Sequence, residues 1–178
     1  MLIYEALKKD HQTLKKHLRR LVAIKQENAE KRHQIIKSIR DELVPHSRAE
    51  EAVFYNTLRP LVKAKLLVSD AYQEHLAAET LLRTLQVRDQ IDSRWKQVAR
   101  KLKSALEHHI KDEEGKIFTA AKQLFTHQEA KMMGEAFLKL KPTIKEESIV
   151  STTLDFFVNM LPPIIASRFY KNNLQNRL

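Results

Sequence analysis

The sequence predicts an all-α fold, an antiparallel up-down-up-down four-helix bundle with additional C-terminal helices. Three observations carry that prediction. Only two glycines and five prolines punctuate 178 residues, so turns are few and segments long. Apolar residues recur every three or four positions along five segments, the period of a helix with one buried face. Four of those segments are long and joined by short connections, which makes sequence neighbours antiparallel.

The first segment runs from about Ile3 to Lys25, with Ile3, Leu7, Leu14, Leu18 and Leu21 on one stripe. The second runs from about Glu30 to Arg59 and aligns Ile35, Ile39, Leu43, Val53, Phe54 and Leu58. Pro45 lies inside it and lacks an N–H, so a kink is expected there with the Asp41 carbonyl freed from its helical bond. The third begins near Ser69 and reaches about Val87, carrying Tyr72, Leu82 and Leu85. The fourth opens near Asp92 or Ser93 and continues to about Phe125 through Trp95, Val98, Leu102, Leu106, Ile117 and Leu124. A fifth starts at Thr126, where Thr-His-Gln-Glu spells a capping box, and ends before Pro142. It is expected outside the bundle, so residues 1–140 form one unit. Residues 141–178 are read as a helical extension, apolar but broken at Pro162 and Pro163, that packs on the bundle or makes a homo-oligomer contact.

Composition narrows the chemistry. There is no cysteine, which excludes disulfides, thiolate metal sites and thiol nucleophiles. No run reaches the roughly 18 apolar residues of a membrane span, and the N-terminus lacks a signal-peptide core, so a cytoplasmic protein without a membrane partner is expected. The net charge of +10 would suit a polyanion, but its lysines and arginines are spread along the chain. A solvated helical surface is therefore preferred to a nucleic-acid partner. Glycine-rich nucleotide loops and Ser-His-Asp groupings are not discernible.

One pattern occurs twice. HSRAEEAVFY begins at His46 and HIKDEEGKIF at His109, each reading histidine, three residues, Glu-Glu, two residues, then an apolar pair. In each copy the first glutamate, Glu50 or Glu113, lies one helical turn after the histidine and on the same face. His11 stands four residues after Leu7, and His75 three after Tyr72. Each of the four long helices thus turns one histidine inward, and counting from the turns places His11 level with His46 and His75 level with His109. Four imidazoles and two carboxylates exceed the needs of one tetrahedral zinc. They suit a pair of first-row metal ions bridged by carboxylates, iron or manganese by donor type. The plain alternative is His–Glu pairing in a metal-free polar core, but burying a carboxylate costs several kcal/mol without compensation. His17, His33, His108 and His127 read as surface or cap residues.

On KKDHQTL with His11, HSRAEE with His46 and Glu50, YQEHLAAE with His75, and HIKDEE with His109 and Glu113, the chain resembles the hemerythrin-like, or HHE cation-binding, domains over about residues 3–140. The resemblance implies a non-haem di-iron centre, two iron ions with manganese as second choice, and reversible binding of oxygen or nitric oxide. It also implies roles in sensing, iron handling or protection from oxidative and nitrosative stress. Peroxide is a further candidate ligand, and a redox or repair enzyme using the same site is the alternative, ahead of a basic helical interaction module. Oxygen-carrying hemerythrins have a histidine where this chain has Glu79, and their last carboxylate would correspond to Glu114. The chain is therefore similar to a four-histidine, two-glutamate branch. Glu79 and Glu114 are held as candidate additional ligands; Glu79 is alternatively a partner of His75 or an exposed charge.

Overall fold

The computed structural model describes residues 1–144, apart from 26–28, 62–63 and 89. Beyond Ile144, the helical extension expected over residues 141–178, and the subunit contact expected of it, lie outside the described residues. Five helices, and among the described residues no strand, make up the structure. They are α1 (Ile3–Val22), α2 (Ala29–Glu50, continued by a π-helical turn Glu51–Tyr55 and a last α-turn Asn56–Leu58), α3 (Lys65–Gln86), α4 (Ser93–Asp112, continued by a π-helical turn Glu113–Ile117 and Phe118–Leu124) and α5 (His127–Leu140).

Caps mark several ends. The Glu5 carboxylate accepts the Leu2 N–H at the start of α1. Asp92 accepts the Trp95 N–H at the start of α4, and Thr126 and Glu129 form the expected reciprocal box on α5. Helix α3 begins four residues before the expected Ser69. Its N-cap, Ala64, makes no side-chain capping bond, so no polar residue marks the start in sequence. Burial of Ala64, Val68 and Ala71 extends the helix instead.

From α1 to α4 each helix packs against the next, and α4 closes back on α1. Their opposite directions show in the pairs they form: Tyr4 meets Phe54 and Phe118, His11 meets His46, and Tyr55 meets Tyr72. Every apolar residue of the expected α1 stripe is fully buried, as are Ile39, Leu43, Val53, Phe54, Leu58, Trp95, Leu102 and Leu106. Tyr72, Val98 and Leu124 are half-buried.

Helix α2 runs through Pro45 as helix. The change of helical register comes six residues later, in the π-turn, where the Asn56 N–H bonds the Glu51 carbonyl. The counterpart in α4 is the Phe118 N–H on the Glu113 carbonyl. Each i→i+5 bond accommodates one extra residue in the turn. Both insertions fall at the doubled glutamate, where Glu50 and Glu113 are fully buried and Glu51 and Glu114 only partly so.

The apolar interior divides into two clusters. One gathers Ile3, Leu7, Phe54, Ile117 and Phe118, and the fifth helix adds Met133 and Phe137 to it. The other gathers Leu14, Leu18, Ile39, Leu43, Leu82, Trp95 and Leu106. Helix α5 lies on the outside of the bundle, chiefly along α1. Gly134 allows that approach, since a Cβ there would stand 2.3 Å from the Met1 carbonyl oxygen and 2.8 Å from the Ile3 nitrogen. Alanine at a mid-helix glycine ordinarily stabilises by about 1 kcal/mol, but here backbone would have to move. Gly134→Ala is expected to lower the unfolding free energy by about 1–2 kcal/mol, measured by urea denaturation.

Candidate metal centre

Between the two apolar clusters lies a buried polar layer. His11, His46, Glu50, His75, His109 and Glu113, one or two from each bundle helix, are all at most 3% exposed. They meet. His11 Nε2 lies 3.0 Å from a Glu113 oxygen, and His46 Nε2 and His75 Nε2 each lie 3.5 Å from the same Glu50 oxygen. The Nε2 atoms of His75 and His109 are 3.1 Å apart. Glu50, His75 and His109 offer three donor atoms within 4.8 Å of one another. Neither carboxylate, Glu50 or Glu113, has a hydrogen-bond donor in acceptable geometry on either oxygen.

The other edge of every imidazole is held. His11 Nδ1 is 2.9 Å from Glu114, His46 Nδ1 3.0 Å from Asp10, His75 Nδ1 2.9 Å from Glu51 and His109 Nδ1 2.9 Å from Glu74. A carboxylate only accepts, so each Nδ1 donates and each Nε2 is turned inward. The arrangement has an internal two-fold logic. On α1 and α3 the acid precedes its histidine, in Asp10-His11 and Glu74-His75; on α2 and α4 it follows the inner glutamate, in Glu50-Glu51 and Glu113-Glu114. Each acid reaches the histidine of the next helix, so the four bonds link α1 to α2, α2 to α3, α3 to α4, and α4 back to α1.

Sequence reasoning singled out the six inner residues and the structure brings all six together. Asp10, Glu51 and Glu74 were missed. Their signal was adjacency, an acid directly beside His11, Glu50, His75 and Glu113. Glu114, held as a candidate ligand, hydrogen-bonds His11 Nδ1. Glu79 is buried rather than exposed, and pairs with Arg48 at 2.8 Å. Arg48 in turn holds Glu51, so Glu79 joins His75 only through two intermediaries. His33, His108 and His127 are exposed as expected, while His17 is half-buried.

Burial and charge act in opposite directions here. Burial alone would lower the His11 pKa, but Glu113 and Glu114 outweigh it and raise the imidazole to about 9. Burial prevails at His46, taking it down to about 4 against the pull of Asp10. Burial and the neighbouring Glu113 push Glu50 well up. Glu113 itself is lowered, since the closeness of Glu50 and of the His11 imidazole outweighs burial. The metal-free layer therefore stores a proton on His11 and resists ionisation of Glu50.

The residues fit a metal. With each Nδ1 turned to a carboxylate, the Nε2 atoms of His75 and His109 face each other beside a Glu50 oxygen, three donors close enough to share a cation. The donor set is nitrogen and oxygen without sulfur, suited to iron or manganese.

The sign of a pH effect follows. His11 and Glu50 both bind protons more tightly folded than unfolded, so their stabilisation is complete below the unfolded values and lost as pH rises. Metal-free protein is expected to lose about 3 kcal/mol of unfolding free energy between pH 6.5 and 9 from His11 alone, by urea denaturation. Metal-loaded protein should show a flatter profile, because the ion replaces the proton.

The comparisons agree with this geometry. A family model described as the hemerythrin HHE cation binding domain matches residues 2–121, which contain all of the bundle helices but the end of α4. A search of curated proteins finds no match. With the matched residues covering about two thirds of the sequence and every inner histidine and glutamate, the chain belongs to the hemerythrin HHE cation-binding domain family.

Proposed function

We propose that this protein holds a non-haem di-iron centre and binds a small ligand there, oxygen, nitric oxide or a peroxide, in sensing, iron handling or stress protection. His11, His46, His75 and His109 would hold the two ions as imidazole donors, and Glu50 and Glu113 would serve as the carboxylates shared between them. The observation that carries this reading is the set of four inward Nε2 atoms, each aimed by a carboxylate on its far edge, around two buried carboxylates without donors. Glu79 is left out of the ligand set because its Oε2 is drawn to Arg48 and it touches none of the four histidines in the contacts above.

Iron held by these residues would supply affinity for a small ligand and one-electron chemistry. The chain's own residues do the rest. Asp10, Glu51, Glu74 and Glu114 keep each proton on Nδ1 and leave Nε2 free, and they raise the donor strength of the rings. Leu7, Phe54 and Ile117 on one side and Leu14, Leu43, Leu82 and Leu106 on the other exclude water but admit apolar diatomics. Tyr55 lies stacked on His75, with ring centroids 5.6 Å apart, and closes that flank. The same residues would serve turnover as well as binding, so the two are separated by kinetics and not by ligand identity.

Purified protein reconstituted anaerobically with iron is expected to take up about two ions per chain and to show charge-transfer absorption that responds to nitric oxide. Glu50→Ala and His109→Ala should lose metal while keeping their helical circular dichroism. A helical protein that binds neither iron nor manganese would overturn the reading. Steady-state consumption of peroxide or nitric oxide with a reductant would assign turnover, and a single stoichiometric reaction would assign binding.

A further inference from the structure

Helix α5 lies beyond the residues matched by the family model, yet it reaches the polar layer. The Phe137 ring meets the His46 ring edge-on, with centroids 6.0 Å apart. Just past the helix, in the 3-10 turn Lys141–Thr143, the Lys141 ammonium lies 2.8 Å from Asp10 Oδ2 and bonds Glu42 of α2 as well. Asp10 Oδ2 is the same oxygen that accepts from His46 Nδ1. One carboxylate oxygen thus carries both the imidazole and the ammonium.

Each orienting carboxylate has a cation or a histidine on its outer side. Arg48 stands 3.2 Å from Glu51, Lys15 4.0 Å from Glu114, and His108 3.8 Å from Glu74. All three of those come from the bundle itself. Lys141 makes the closest of the four contacts, and it alone comes from outside the bundle. It is also only 19% exposed and is held between carboxylates of α1 and α2. A solvent-exposed ion pair contributes little; a largely buried ammonium shared by two carboxylates orders both.

We propose that the fifth helix is a working part of the metal centre, with Lys141 a positioning residue that locks Asp10 onto His46 and so governs how tightly the centre keeps the metal on that side. Phe137 excludes water from the same edge of the ring. Without Lys141, the Asp10 carboxylate is free to turn toward solvent, and His46 loses the partner that fixes its ring. The metal-retention part of this inference rests on the di-iron reading; the clamp on His46 does not.

The test uses the full chain with Lys141→Met, Lys141→Arg, Glu42→Gln, Asp10→Asn and the Asp10→Asn/Lys141→Met pair. Two quantities are read: solvent exchange of each histidine Nδ1–H by NMR in metal-free protein, and release of anaerobically loaded iron(II) to a ferrous chelator. In Lys141→Met the His46 Nδ1–H is expected to exchange about tenfold faster, with His75 and His109 unchanged, and iron is released about tenfold faster. Lys141→Arg should restore most of both, and the double variant should release iron no faster than Asp10→Asn alone, since Lys141 acts through Asp10. Unchanged exchange at His46, equal acceleration at every histidine, or Glu42→Gln matching Lys141→Met would overturn the proposal, the last two by showing a general structural pin. Wild-type protein that takes up no iron would defeat the di-iron reading, and the exchange measurement would still decide the clamp.

Discussion

Four hydrogen bonds between carboxylates and imidazole Nδ1 atoms organise this molecule. Each runs from one helix to the next, so together they close a ring around the bundle and set the rotation of all four helices at one level. Histidine offers two edges, and fixing one decides where the other points. A purely apolar core of similar size tolerates some slippage of its helices. A layer in which every imidazole must meet a specific acid does not.

That layer is expensive. Two fully buried carboxylates without donors, and four buried rings, interrupt an apolar interior that would otherwise be continuous from Ile3 to Leu21 along α1. Burying ions and leaving polar groups unpaired each cost several kcal/mol. The apolar clusters above and below supply the compensating burial, and in metal-free protein a proton on His11 between Glu113 and Glu114 offsets part of the charge. The π-turns belong to the same compromise. At each, the two adjacent glutamates meet opposite edges of one ring, Glu113 and Glu114 on His11, Glu50 and Glu51 on His75.

Charge in this chain is also less diffuse than its composition suggests. Lys141, Arg48 and Lys15 stand behind Asp10, Glu51 and Glu114, and Arg48 spans Glu51 and Glu79. Part of the basic excess therefore lies at the outer rim of the polar layer, where it balances acids that the imidazoles require. The fifth helix takes part in that rim, although it is no part of the four-helix ring.

Helix number, the apolar stripes and the six inner residues were legible in sequence because each depends on a short-range period: a residue's face follows from its spacing along its own helix. Leu7, His11 and Leu14 announce one face of α1 without reference to any other part of the chain. Tertiary structure decided what spacing cannot express. The start of α3 at Lys65 depends on burial of Val68 and not on a cap. The π-turns fall at the doubled glutamates, and Pro45, the visible irregularity, left the helix running. Asp10, Glu51 and Glu74 acquire their roles only from the helix opposite, and Lys141 reaches Asp10 across 131 positions of sequence. Periodicity is a property of one helix, whereas a hydrogen bond between helices depends on their relative height and rotation, and only packing sets those.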